Sequence, residues 1–219
     1  MPTKSSFRSR AESMGSAERR RREQAGTRQR ILDAARDLFV AHGYEATSMR
    51  SIAKRIEYTP TAIYHHFESK EDLLSELCGQ DFRALAAAFQ RIGRVEDPVE
   101  RLERIGEAYV AFAVDNPMHY QLMFMTVRPG PNGKETIQKG DPGEDAYAFL
   151  VQTVEEAMAQ GRFRPEYTDA DELAQMFWST CHGIVSLRIA KGHDPWVEFK
   201  DPKETAAKMR DALLRGMLR

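Results

Sequence analysis

Five times along this 219-residue chain, a residue able to cap a helix stands directly before a proline: Thr59-Pro60, Asp97-Pro98, Asn116-Pro117, Asp141-Pro142 and Asp201-Pro202. Proline is tolerated at the first helical position because the N–H it lacks would have no partner there. The cap side chain accepts hydrogen bonds from the free N–H groups of the first turn. Asp97 with Glu100 and Asp201 with Glu204 also have capping-box spacing, as do Ser69 with Asp72 and Thr168 with Asp171. Alternating apolar and polar runs of the β type are essentially absent. The pattern predicts an all-α protein of about nine helices, over residues 27–42, 48–56, 60–66, 70–93, 98–115, 117–127, 142–160, 169–191 and 202–217. Gly43 stands where the first helix would need a positive φ to end. The stretch from Arg128 to Gly140, rich in Pro and Gly, is expected to be a mobile surface loop.

A hydrophobic share of 42% beside 30% charged residues excludes a disordered chain. No apolar run reaches the length of about 18 residues that a membrane helix needs. The basic N-terminus lacks the apolar centre of a signal peptide. Two cysteines far apart, Cys78 and Cys181, fit a reduced cytoplasmic protein better than a disulfide or metal framework. The net charge of −1 conceals a division, because residues 1–70 carry +6 and residues 71–219 carry −7. A basic head on an acidic body points the head toward a polyanion. Much of the positive charge lies in residues 1–24, with Arg19 to Arg22 as its densest run. These residues are expected to form a disordered basic arm able to touch phosphates nonspecifically.

Residues 47–67 read TSMRSIAKRIEYTPTAIYHHF. Thr47 or Ser48 caps a short helix that turns Ile52, Ala53 and Ile56 inward, and Glu57-Tyr58 ends it. Thr59 caps a second short helix in which Ile63 and Phe67, four apart, share the inner face. Thr61, Ala62, Tyr64, His65 and His66 are left for the other faces. A short helix with such an outer face fits a major groove about 12 Å wide. Helix, brief turn and helix is the geometry of one class of DNA readers.

Ile52-Ala53, Tyr64-His65-His66-Phe67 and Ser69-Lys70-Glu71-Asp72-Leu73-Leu74, behind a helix near residue 27, resemble the TetR family of bacterial regulators. Trp178, His182 and Gly183, in WSTCHG, are similar to the family's WHG subgroup. The resemblance implies a three-helix DNA-binding head over 25–75 and a helical ligand-binding and dimerisation domain over 76–219. It implies base or backbone contacts by Thr59, Thr61, Tyr64, His65 and His66. Phosphate contacts are implied for Lys70 and for Thr47, Ser48 and Arg50 near the start of the second helix. Free N–H groups at a helix start attract anions in any case. Two positions depart from the family: Glu57 stands where glycine is usual, and Pro60 where a basic or small residue is frequent. Glu57 must therefore take the turn conformation without glycine's freedom.

For the body, the resemblance implies a pocket for an apolar or amphipathic effector, with Tyr109, Phe112, Met123, Phe149, Trp178 and His182 as lining residues. It also implies a homodimer built from the last two helices, by Leu173, Met176, Phe177, Thr180, Ile184 and Leu187 on one and Ala206, Met209, Leu213 and Met217 on the other. A two-fold pair would place two reading heads about 34 Å apart, or slightly more, on a palindromic double-stranded operator. The expected protein is thus a ligand-released repressor, with no cofactor, no catalytic or metal residues and no membrane partner. An activator, a regulator sensing redox state through its cysteines or sensing a protein partner, and an all-helical enzyme are the alternative readings. The phosphate-loop, HExxH and nucleophile-elbow motifs of enzymes are absent.

Overall fold

The computed structural model describes residues 4–126 and 138–219, with side chains described from residue 17 onward. It is all-α, and among the described residues the only β pairing is one bridge between Phe163 and Leu218. The chain divides into two compact units, Met1–Leu73 and Leu74–Arg219, here termed head and body.

In the head, α1 (Lys4–His42) leads through a turn to α2 (Met49–Arg55) and α3 (Pro60–Tyr64). Where a disordered arm is expected over residues 1–24, residues 4–24 are helical, since α1 begins at Lys4. Arg, Glu, Gln and Ala are good helix formers. The charges also alternate in sign one turn apart, so that Glu18 pairs with Arg22 and Arg19 with Glu23. Gly43 ends α1 with φ of 84°, as expected, and its N–H donates to the Phe39 carbonyl at 2.9 Å. Ile31, Leu32, Ala35 and Phe39 of α1 are buried, as are Ile52 and Ala53 of α2, Ile63 of α3 and Phe67 beyond it. Helical spacing thus becomes one apolar centre from which α3 projects its remaining faces.

The body holds most of α4 (Lys70–Ile92), then α5 (Pro98–Asp115), α6 (Pro117–Tyr120), α7 (Ala146–Ala159), α8 (Ala170–Lys191) and α9 (Pro202–Met217). The Asp97 side chain accepts from Val99 N and Glu100 N, and Asp201 from Glu204 N, so α5 and α9 begin where the proline signals place them. α6 also starts at its proline, but it passes at once into a π-helical turn, Gln121–Met125. The signal at Asp141-Pro142 starts no helix. Asp141 instead closes a turn, with its carboxylate accepting from Gly143 N at 2.8 Å, and Asp145 caps α7 through Tyr147 N and Ala148 N. Asp169 likewise replaces Thr168 as the cap of α8. Of the loop expected from Arg128 to Gly140, residues 128–137 lie outside the described residues. One apolar core joins α4, α5, α7, α8 and α9 through residues such as Phe89, Leu102, Val154, Phe177 and Leu214.

Candidate DNA-reading surface and the interior of the body

The turn between α2 and α3 explains how the reading surface is set. Glu57 has φ of 62°, the sole non-glycine positive φ among the described residues. The Glu57 N–H donates to the Lys54 carbonyl and the Tyr58 N–H to the Ala53 carbonyl, a Schellman closure of α2. The expected departure at Glu57 is therefore one of residue type, not of backbone path. The Arg30 guanidinium donates to the Tyr58 hydroxyl at 2.6 Å, tying the turn to α1. Thr59 then caps α3, accepting from Ala62 N at 3.2 Å.

Three turns of chain sort the nine expected DNA contacts. Thr61 and Tyr64 are exposed on α3 and His65 at its C-terminal end, with Tyr64 at 54% exposure beside the fully buried Ile63. Ser48 and Arg50 are exposed at the start of α2, where Ser48 and Ser51 form a reciprocal capping box. Thr59 is exposed while it caps. Lys70 is half-buried, and its ammonium donates to the Tyr44 carbonyl at 2.8 Å and lies 4.1 Å from the Tyr44 ring centre. Thr47 is buried rather than outward. Its hydroxyl lies 2.9 Å from the Gly43 carbonyl and 3.1 Å from that of Leu38, both in the region where α1 leaves carbonyls without helical partners. That inward role overrides the phosphate contact expected of its side chain.

His66 is half-buried, and its carbonyl accepts from the Arg28 guanidinium at 2.8 Å. The same guanidinium lies 4.0 Å from the Phe67 ring centre. Burial, followed by the Arg28 and His65 charges, holds the His66 imidazole below its ordinary pKa. Beside it opens a groove of about 420 Å³ lined by Arg21, Gln24, Ala25 and Arg28 of α1 together with His65 and His66. Of these α1 residues, the sequence marks out only Arg21, within the basic run Arg19 to Arg22; the three- and seven-residue spacing to Gln24 and Arg28 is the signal for the rest.

The six residues expected to line an effector pocket do not stay together. Tyr109, Trp178 and His182 meet, joined by Tyr120 and Phe124, which the sequence reading had not assigned to a site. The Trp178 indole donates to the Tyr109 hydroxyl at 3.0 Å, and Tyr109 donates to Tyr120 at 3.0 Å. Both hydroxyls lie within hydrogen-bond reach of His182 Nδ1. Indole has only a hydrogen to give, so the Tyr109 hydroxyl accepts from Trp178, while the direction at His182 Nδ1 follows the tautomer of its ring. Burial keeps the His182 imidazole below its ordinary pKa and pushes the Tyr109 hydroxyl up to about 12. Phe149 pairs instead with Phe89 at 6.2 Å between ring centres, while Met123 and Phe112 belong to the general apolar core.

The expected dimer stripe also divides. Leu173, Phe177, Ala206 and Met217 are buried in the body's own core. Met176, Leu187 and Met209 are exposed, and Thr180, Ile184 and Leu213 half-exposed. Arg210 of α9 is buried at 4% exposure and crosses Gly106 of α5. Its Nε and one terminal nitrogen have no hydrogen-bond partner among the described residues, and the other terminal nitrogen lies 3.9 Å from Glu107. Both cysteines are buried, and burial outweighs Arg210 in keeping the Cys181 thiol protonated. A buried neutral thiol lacks the exposed thiolate that redox sensing uses.

Comparison with known proteins gives two family matches. Residues 31–77 match "Bacterial regulatory proteins, tetR family", and residues 102–213 match "Tetracyclin repressor-like, C-terminal domain". The chain is 43% identical over 75 residues to the HTH-type transcriptional regulator UidR of Escherichia coli, covering 34% of this chain and 35% of that protein. It thus aligns with about a third of UidR's length. It is 25% identical over 155 residues to the HTH-type transcriptional regulator TcmR of Streptomyces glaucescens, covering 68% and 69% of the two chains. Among solved structures, the regulator PfmR from Thermus thermophilus superposes with a TM-score of 0.65 at 25% identity, covering 86% of this chain and 99% of PfmR. These relatives are regulators of transcription, not enzymes. No helix among the described residues is long and apolar enough to cross a membrane.

Proposed function

This chain belongs to the tetR family of bacterial regulatory proteins, and on that premise we propose that it is a cytoplasmic, ligand-responsive repressor held on a palindromic operator by its head and released by a small apolar or amphipathic molecule. Residues 25–75 form the DNA-binding domain, and residues 76–219 bind the effector and a second copy of the chain. The observation that carries this reading is α3, which buries Ile63 and Phe67 behind it while exposing Thr61, Tyr64 and His65. Side chains on one short helix then meet base edges, while Ser48, Arg50 and Lys70 fix register on the phosphates.

The still-exposed Met176, Leu187 and Met209 of α8 and α9 are the apolar surface a two-fold mate covers. In the body, Tyr109, Trp178 and His182 offer an aromatic wall with polar points, the composition of a small-molecule site. The effector acts by binding one arrangement of the chain better than the other, with α4 as the helix continuous with both units.

The test is selection of a binding site from a random duplex pool, followed by titration of Tyr64→Ala on the selected duplex. A lost base contact is worth about 1–3 kcal/mol, so a weakening of roughly ten-fold or more is expected. Unchanged binding by Tyr64→Ala would remove α3 as the reading element.

A further inference from the structure

The groove between α1 and the end of α3 is not explained by the reading of bases. We propose that it seats a backbone phosphate of the operator, outside the base pairs read by α3, so that the N-terminal extension of α1 forms part of the DNA footprint. This rests on the head being a DNA reader and extends it to residues that reading does not use.

The lining chemistry is one-sided. Arg21 and Arg28 lie seven residues apart on one side of α1, with Gln24 and Ala25 between them. Within the arginine run, Arg19 and Arg22 are already paired with Glu23 and Glu18. Arg21 has no carboxylate partner among the described residues, and it is the member of the run that lines the groove. Gln24 adds an uncharged amide donor, and the small Ala25 leaves the floor open. On the opposite wall stand His65 and His66, and among the described residues no carboxylate lines the groove.

The wall is also fixed in place. Arg28 is held by the His66 carbonyl and by the face of Phe67, whose ring is buried in the head core. A phosphate in this groove therefore meets one cation, Arg28, that need not be ordered anew. The groove adjoins the exposed face of α3, because His65, which lines it, directly follows the exposed Tyr64 at the end of that helix. The groups facing His66 are Arg28 and Arg21 from α1 and His65 from its own segment, all cationic or able to become so. An anion there reverses the field they produce and favours imidazolium, so DNA binding takes up protons.

Fluorescence anisotropy of the full chain tests this with two labelled duplexes, one carrying the site the chain selects and one of unrelated sequence, each over a salt series. Loss of one phosphate contact lowers the slope of log K against log salt by about 0.9. Arg21→Gln is expected to show that loss on both duplexes, with the base preference intact. Between about 50 and 200 mM salt its affinity then falls roughly three-fold less than that of the unsubstituted chain. Arg20→Gln, an exposed neighbour outside the groove, is the comparison. His66→Gln should also flatten the rise in affinity on going from about pH 8 to pH 6, the range in which imidazole titrates. An Arg21→Gln slope equal to that of the unsubstituted chain, or an equal drop in Arg20→Gln, overturns the groove assignment while leaving the DNA reader intact. Failure of the unsubstituted chain to bind either duplex overturns the DNA reader itself.

Discussion

The head and the body use polar side chains in opposite ways. In the head the interior is mostly apolar, with Thr47 and Arg36 as buried exceptions, and the polar groups expected to meet DNA either cap helices, as Ser48 and Thr59 do, or stand outside, as Arg50, Thr61 and His65 do. In the body the interior itself is polar in places, with Tyr109, Tyr120, His182 and Arg210 set among apolar neighbours. The residues expected to read DNA come from 24 consecutive positions, Thr47 to Lys70, while the body's polar interior draws on four helices, α5, α6, α8 and α9. A surface reader can be built from local rules, whereas a polar interior depends on packing that brings distant residues together.

The contrast is broken most strongly at Gly106. A Cβ there would lie 2.3 Å from Arg210 Cδ and 2.9 Å from Nε. Helix propensity alone favours alanine by about 1 kcal/mol, but overpacking costs about 1–3 kcal/mol. Gly106→Ala should therefore lower the midpoint of a denaturant melt. In an Arg210→Ala background, with the obstruction gone, the same substitution should raise it. A destabilisation that persists there would show that Arg210 does not dictate the glycine.

Acid sharpens the comparison with a smaller effect. Burial holds His182 below its ordinary pKa in the folded body. The unfolded chain thus binds that proton more tightly, so the stabilisation is complete above about pH 6.5, the unperturbed imidazole value. It is lost as pH falls from there through the folded value. His66 in the head shifts in the same direction, with more of its ring near solvent. Melts across this range should show His182→Gln flattening the pH dependence more than His66→Gln. The reverse order would mean that the acid response belongs to the head.

The smallest change is expected at Glu57. Its φ of 62° costs an L-residue about 1–2 kcal/mol, which glycine avoids. Glycine's greater freedom in the unfolded chain returns about 0.5–1 kcal/mol of that. Glu57→Gly should raise head stability by under about 1 kcal/mol, and a fall in the melting midpoint would show that the carboxylate has a structural role of its own.

The same contrast decides what could be read from sequence. Helix starts at Pro60, Pro98, Pro117 and Pro202 were legible because a cap and a proline act within one turn. The signal at Asp141 misled because the same carboxylate closes a turn equally well. The helical extension of α1 was missed because a run of arginines was read without the glutamates one turn away. Tyr64 was placed outward correctly from the four-residue spacing of Ile63 and Phe67. Thr47 was not, since its burial depends on carbonyls at Leu38 and Gly43 that only the folded turn presents. Tyr109, Trp178 and His182 are neighbours in the fold, but Tyr120 and Arg210 entered the interior through packing that no local pattern records.

The hydroxyls of Tyr109 and Tyr120 and the His182 ring nitrogen form a closed triangle, with Trp178 attached at one corner only. The corners are unequal. Without the Tyr120 hydroxyl, Tyr109 still reaches His182 directly at 3.0 Å, so the body retains a detour. Without the Tyr109 hydroxyl, the indole N–H loses its acceptor among these groups, and within them Trp178 keeps only its ring contact with His182. Tyr109 is thus the single junction through which the tryptophan and the histidine share one hydrogen-bond network, and Tyr120 is the spare branch.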